Sequence, residues 1–328
     1  MPAPATGAPG RSGASGTTIG AAVLARLAAQ AEVLAALDPA VRADEPDAVH
    51  RMRVACRRLR SALQTHRRLF AEGPARELAT ELKWFGAVLG QARDREVLAE
   101  RLLAEARALP SACRPEHTAG LLAAWSRREA ERVRPEVVAA LDSPRRQALA
   151  AGLAGLLADP PLRGRAGRAA GPEFSRIAAR EQRRTADRVR TALAAGPGPG
   201  GDTALHEARK AAKRARYAAE TAEPVAGRAA RRYAARMKAV QELLGEHQDA
   251  VVAAAALREL AAGTDGGADA GTAKGTAKGP DTGGAPGRED AFAYGVLYAR
   301  QLAAASAARE RLPEVWARAA GRRLSRFG

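Results

Sequence analysis

Aromatic residues, cysteines and long apolar runs are all scarce in this chain of 328 residues. Phe, Trp and Tyr make up only 4%, which leaves few rings on which nucleic-acid bases could stack. The two cysteines, Cys56 and Cys113, are too few and too far apart for a zinc site or a disulfide framework. The longest uncharged apolar stretch, residues 148–158, is too short to cross a bilayer, so no membrane insertion is expected. Residues 1–20, rich in Ala, Pro, Gly, Ser and Thr, have no apolar centre and do not read as a secretory signal. No Gly-Lys dipeptide occurs, which rules out a phosphate-binding P-loop, and no H-E-x-x-H, nucleophile-elbow or kinase motif is present. No sustained alternation of β-branched and aromatic residues predicts strands, so the expected fold class is all-α.

What the chain has in excess is positive charge. Lys and Arg number 53 against 36 Asp and Glu, a net charge of +17 and a pI near 11.1. Such a balance calls for a polyanionic partner: nucleic acid, polyphosphate or an anionic lipid surface. Apolar residues at 46% suffice for a real core, so the basic surface belongs to a folded protein. The charge is also clustered. From His50 to Arg68 there are seven arginines and no acid.

That run is one of two similar segments. His50, Arg53, Arg57 and Arg60 fall within a narrow arc of a helix, while Met52, Cys56, Leu59 and Leu63 fall opposite. The second segment places His206, Arg209, Lys213 and Arg216 on one face and Ala208, Ala211, Ala212, Ala215 and Ala219 on the other. The two histidines stand 156 positions apart, and Leu82, Lys83, Leu89, Gly90 and Asp94 return as Met237, Lys238, Leu244, Gly245 and Asp249 after a shift of 155. Two motifs in one order at nearly one spacing predict an internal duplication, with both basic stripes turned toward a shared groove.

These motifs, H-x-x-R-x-x-x-R-x-x-R at His50 to Arg60, H-x-x-R-K-x-x-K-R-x-R-Y at His206 to Tyr217, and L-G-x-x-x-D at Leu89 and Leu244, resemble the CHAD family of α-helical, histidine-containing domains. The likeness extends to Leu141–Arg145 and to Trp316, covering roughly residues 17–325. It implies two similar helical bundles and binding of inorganic polyphosphate in a basic central cavity. It implies no reaction. The E-x-E-x-K motif of the triphosphatase domain that sometimes accompanies the family does not occur, so the chain reads as a binding module.

Breakers give the expected organisation. Residues 1–16 form a tail, 17–158 a first half, 159–172 a linker rich in Gly, Pro and Arg, and 173–328 a second half interrupted by a disordered low-complexity insert at 263–288. Helices are expected at about 17–37, 47–71, from 74 to 108, 116–141, 144–158, 173–195, 202–222, 226–262, 289–311 and 313–324. Asp47 and Thr203 are candidate N-caps, which would set both histidines in first helical turns, where free N–H groups favour an anion.

The expected polyphosphate contacts are His50, Arg53, Arg57, Arg60, Lys83, His206, Arg209, Lys210, Lys213, Arg216 and Lys238. Arginine can grip two phosphate oxygens with one planar fork, whereas lysine supplies a point charge. The histidines have two other readings: hydrogen bonding to a neighbouring helix, or a metal site shared between His50 and His206, which the surrounding arginines oppose. Asp94 and Asp249 are expected to orient arginines, and Gly90 and Gly245 to permit close helix packing. No catalytic pair, metal site or cofactor is expected. The rival function is nonspecific nucleic-acid binding through the same stripes, with metal binding and phosphate metabolism as lesser alternatives. The expected location is cytoplasmic, at polyphosphate granules; the oligomeric state is open.

Overall fold

Apolar residues at helical spacing give most segments one face to bury, and the computed structural model, which describes residues 17–265 and 288–321, is helical through most of them. The helices are α1 (Ile19–Ala36), α2 (Asp38–Arg42), α3 (Ala48–Thr65), α4 (Pro74–Arg107), α5 (Pro115–Asp142), α6 (Pro144–Ala158), α7 (Ala170–Ala194), α8 (Pro199–Asp265) and α9 (Arg288–Ala319). Among the described residues the extended pairings are two isolated bridges, Thr18 with Ala169 and Phe70 with Leu162, so the fold is all-α.

Helix starts follow familiar chemistry. Pro74, Pro115 and Pro144 open α4, α5 and α6, where a missing N–H costs nothing. Thr18 Oγ1 accepts from the Ala21 amide at 3.2 Å and Ser143 Oγ accepts from the Arg146 amide at 3.1 Å. The two caps expected beside the histidines are different. Asp47 occupies the N-cap position of α3 as expected, but in a left-handed conformation, φ 59°, and its side chain makes no capping bond. Thr203 lies inside α8, its hydroxyl donating to the Pro199 carbonyl at 2.9 Å. His50 therefore stands in a first turn, whereas His206 lies two turns inside its helix, beyond the free amides.

Other boundaries moved for physical reasons. The first basic helix ends at Thr65 rather than near residue 71, because Phe70, 1% exposed, is drawn into its bridge with Leu162 and the Ala71 amide donates to the Pro161 carbonyl at 2.7 Å. The two helices expected at 202–222 and 226–262 are arms of α8 joined at Gly227, whose φ of 51° suits glycine. A break was also expected before Pro313, but α9 runs through it, with Leu312 fully buried and Val315 and Trp316 packed on the core. α8 continues to Asp265 and α9 begins at Arg288, so the expected insert, apart from these helical edges, lies outside the described residues, as does the tail 1–16.

One core cluster draws on α1 through α9, linking the two sequence halves; Met52, Leu59, Phe85, Phe174, Tyr233 and Met237 are all buried within it. Each such side chain contributes about 1.5–3 kcal/mol through burial. A second cluster packs Leu102 of α4 and Leu122 of α5 against Leu257 of α8 and Leu297 of α9. The segment expected as a linker is ordered and stitched to both halves: the Arg163 amide donates to the Leu69 carbonyl at 2.8 Å and the Ile19 amide to the Arg168 carbonyl at 2.9 Å. Residues Ile19–Arg42 are long and apolar enough to cross a membrane; here Val23, Leu27 and Leu34 are buried in the main core.

Candidate functional site

The basic rows are pinned by what lies behind them. On α3, Met52, Cys56, Leu59 and Leu63 are 0 to 1% exposed, which turns His50, Arg53, Arg57 and Arg60 to the other side. Burial raises the Cys56 thiol to about 12, so it serves as core and not as a nucleophile. On α8, Ala208, Ala212, Ala215 and Ala219 are fully buried, and their small size lets α8 approach its neighbours closely.

The rows meet where α3 crosses α8. Arg57 Nε donates to the Tyr217 hydroxyl at 2.8 Å, and the Arg216 guanidinium lies 4.7 Å from the centre of the same ring. Lys213 belongs to the α8 row and lies within the field of the α3 row. Its burial, and then the charges of Arg57, Arg209, Arg53 and Arg216, lower its pKa from 10.5 to about 7. No carboxylate forms an ion pair with Lys213 among the described residues. Asp249 faces it, but burial holds that carboxyl above its ordinary pKa. The result is a half-buried amine in a cationic pocket, with no carboxylate in ion-pair contact among the described residues.

Around this centre the remaining candidates fall into paired and unpaired groups. Arg53 donates to Asp94 at 2.9 Å, as the sequence suggested for that aspartate. Arg209 has no ion pair among the described residues, and its Nε is buried without a partner. Gly90 and Gly245 do something other than allow helices to touch. A Cβ on Gly90 would lie 3.3 Å from Arg53 Nε, and one on Gly245 3.2 Å from Arg209 Nη2, so each glycine makes a seat for a guanidinium. Arg216 Nε lies 3.2 Å from Glu220, which also meets Arg26 and Arg58 at 3.3 and 3.2 Å, a charge clamp between α1, α3 and α8. Lys210 pairs with Glu207 at 2.7 Å and Lys238 with Glu242 at 2.8 Å; both lysines are exposed.

The two histidines keep separate company. His50 is surrounded by Arg93, Arg57, Asp47 and Arg53, and His206 Nδ1 lies 2.9 Å from Gln248 Oε1. Burial foremost, then neighbouring cations, lowers both pKa values, which favours neutral imidazoles at neutral pH. Neutral rings offer hydrogen bonds to a ligand but no charge.

Arg60 and Lys83 belong to a larger opening at the C-terminal end of the α3 row. This groove, about 1050 Å³, is also lined by Arg67, Arg68, Arg76, Arg163, Arg165 and Arg214, with Glu72 as its one acid. Arg60, Arg67, Arg68, Arg76, Lys83 and Arg214 have no ion pair among the described residues, whereas Arg165 is held by buried Glu173 at 2.9 Å. These further cations come from the turn after α3, the start of α4, the ordered connection before α7 and, for Arg214, α8 itself. Signals for them were present, in the arginine run through Arg68 and in the Arg content of 159–172, but nothing in the spacing joins them.

A sequence model of the CHAD domain matches residues 25–258. The chain belongs to the CHAD domain family. This CHAD domain is 34% identical over 286 residues to two Mycobacterium tuberculosis proteins, "Uncharacterized protein MT2285" of strain CDC 1551 and "Uncharacterized protein Rv2226" of strain H37Rv. The match takes in 86% of this chain but 50% of each of those proteins, so the chain spans about half the length of these relatives. Among solved structures, the CHAD domain of the plant Ricinus communis is similar with a TM-score of 0.66 and 28% identity, covering 90% of this chain and 93% of that one. PptA from Streptomyces chartreusis shares the fold, with a TM-score of 0.69 and 23% identity over 92% of this chain and all of that one.

Proposed function

We propose that this CHAD domain binds inorganic polyphosphate without transforming it, using Arg57, Arg209 and Lys213 at the crossing of α3 and α8 and Arg60, Lys83 and Arg214 in the adjoining groove. The observation that carries the reading is Lys213, desolvated among four guanidiniums with no paired carboxylate. A buried amine so placed costs free energy that a bound polyanion recovers. The family's association with polyphosphate binding points the same way. A linear chain of phosphates is thin enough to follow a recessed row of guanidiniums and carries a charge on each unit. Arg53, Arg216, Lys210 and Lys238, each already beside a carboxylate, contribute field more than direct contact. His50 and His206 serve as neutral hydrogen-bonding groups at the rim.

Nucleic-acid binding is the second reading, favoured by the net charge of +17. Against it stand the low aromatic content and a central cation recessed between helices, where a duplex backbone has poor access. Competition separates the two: polyphosphate should displace labelled DNA at far lower phosphate concentration than DNA needs to displace polyphosphate. Affinity should also fall steeply with salt, as each neutralised phosphate releases counterions. Equal competition by DNA would favour the second reading. A granule-associated cytoplasmic role follows from this proposal and is tested by co-localisation with polyphosphate in cells.

A further inference from the structure

Four arginines that no motif singled out stand one helical turn apart on α7: Arg176, Arg180, Arg184 and Arg188. All four are exposed. Spacing of four residues keeps them on one slowly drifting face, with about 6 Å of rise between neighbours. Like charges at this spacing repel, so such a row is unfavourable unless each cation has a partner. The first two have one. Arg176 meets Glu173 at 2.6 Å, and Arg180 meets Glu181 at 3.0 Å while donating to the Thr65 carbonyl at 3.4 Å. Arg184 and Arg188 have no ion pair among the described residues.

The row does not stand apart from the groove. The Arg180 bond to Thr65 anchors it beside the end of α3, where Gln64 and Arg67 line the opening. Arg214, from the groove wall, lies within the field of Arg184, Arg180 and Arg60, all of which oppose its charge. Farther along, Arg188 acts on Glu207 of α8, an acid already held by Lys210 at 2.7 Å. Glu173 and Glu181 are buried behind the row, and Asp187 is paired with Arg190 at 3.0 Å. Guanidiniums therefore follow one another from Arg60 through Arg214 to Arg180, Arg184 and Arg188, with little acid facing outward.

We infer that the exposed face of α7 is a second arm of the polyanion path, on which a polyphosphate chain too long for the α3–α8 crossing and its groove continues along Arg180, Arg184 and Arg188. The inference rests on the polyphosphate reading above and adds a length preference to it. A short polyphosphate fills the centre alone. A long one gains the α7 contacts without any change in the fold, because these side chains already point to solvent.

The test uses the whole chain, tripolyphosphate and long-chain polyphosphate as ligands, and three proteins: wild type, the double variant Arg184→Gln with Arg188→Gln, and Lys213→Glu. The α7 variant should lose about tenfold in affinity for the long chain, the size expected for two charge-assisted contacts, and its salt slope should fall by about one for each arginine removed. Its affinity for tripolyphosphate should stay within about twofold of wild type. Lys213→Glu should weaken both ligands. An α7 variant that binds the long chain as wild type does, or that loses equally for both ligands, overturns the second arm and leaves the central reading intact. If wild type binds neither ligand, the central reading falls, and the second arm with it.

Discussion

Replacing Lys213 with Met separates what the lysine does for binding from what it costs the fold. In the folded chain its pKa is near 7 against an ordinary value of 10.5, first because of burial and then because Arg57, Arg209, Arg53 and Arg216 surround it. At 1.36 kcal/mol per pH unit the depression corresponds to about 5 kcal/mol, and to a few kcal/mol once the amine's residual contact with water is allowed for. The sign follows from proton counting. Between pH 7 and 10.5 the unfolded chain holds this proton and the folded chain releases it, so the unfolded state binds more protons and stability rises with pH. Below pH 7 the full penalty applies. Met is similar in length, carries no charge and fits irregular apolar gaps. Lys213→Met should therefore be more stable than wild type at pH 6 by about 2–4 kcal/mol, with the gap closing as pH approaches 10. Urea unfolding followed by circular dichroism at pH 6, 8 and 10 measures that gap directly, and other titrating groups cancel in the comparison. A Met variant less stable than wild type at pH 6, or a gap that ignores pH, would refute the desolvated lysine.

Binding should draw a proton onto the same amine: at pH 8, titration calorimetry in two buffers of different ionisation enthalpy should report net proton uptake with polyphosphate, and zero uptake contradicts it. Affinity should correspondingly decline as pH rises above 7. Gly245→Ala gains up to about 1 kcal/mol of helix propensity and displaces the Arg209 guanidinium only slightly, so melting temperature should hold or rise while polyphosphate affinity drops about twofold. Glu220→Gln leaves Arg26, Arg58 and Arg216 without their shared acid and should cost about 2–3 kcal/mol in urea unfolding, far more than an exposed pair would. His66, fully buried against Phe174 with both ring nitrogens unpartnered, has its pKa lowered by burial, then by Arg180, to about 3. Stability tied to it should be lost as pH falls from 6.5 toward 3, and His66→Phe should flatten that part of the acid profile.

The rows on α3 and α8 were legible because a helix converts spacing into faces, and the residues behind them, Met52, Cys56, Leu59 and the alanines of α8, are simple core formers. What spacing could not reveal is which cations arrive already neutralised. Arg58 meets Glu220 across 162 positions and Arg53 meets Asp94 across 41. Such pairs depend on how helices cross. The groove was hidden for the same reason, since Arg67, Arg76, Arg163 and Arg214 come from four separate stretches. The α7 row was written plainly at every fourth position, but no histidine or recurring motif marked it. Of the two expected caps, Asp47 does hold the N-cap position of α3, though in a left-handed conformation without a capping bond, whereas Thr203 lies inside α8 with its hydroxyl bonded to the Pro199 carbonyl.

The central claim, a recessed cationic centre shared by α3 and α8, is tested most directly by polyphosphate isotherms for wild type, Arg57→Glu, Lys213→Glu, the double variant and Arg107→Glu. Arg107, exposed at the far end of α4, is the control. Each central reversal should weaken binding by more than tenfold, and the double variant more than either, because attraction becomes repulsion where water is scarce. Arg107→Glu makes the same change in net charge and should stay within about twofold of wild type. Equal losses from the control and the central variants would mean a diffuse basic surface, and the shared centre would be contradicted.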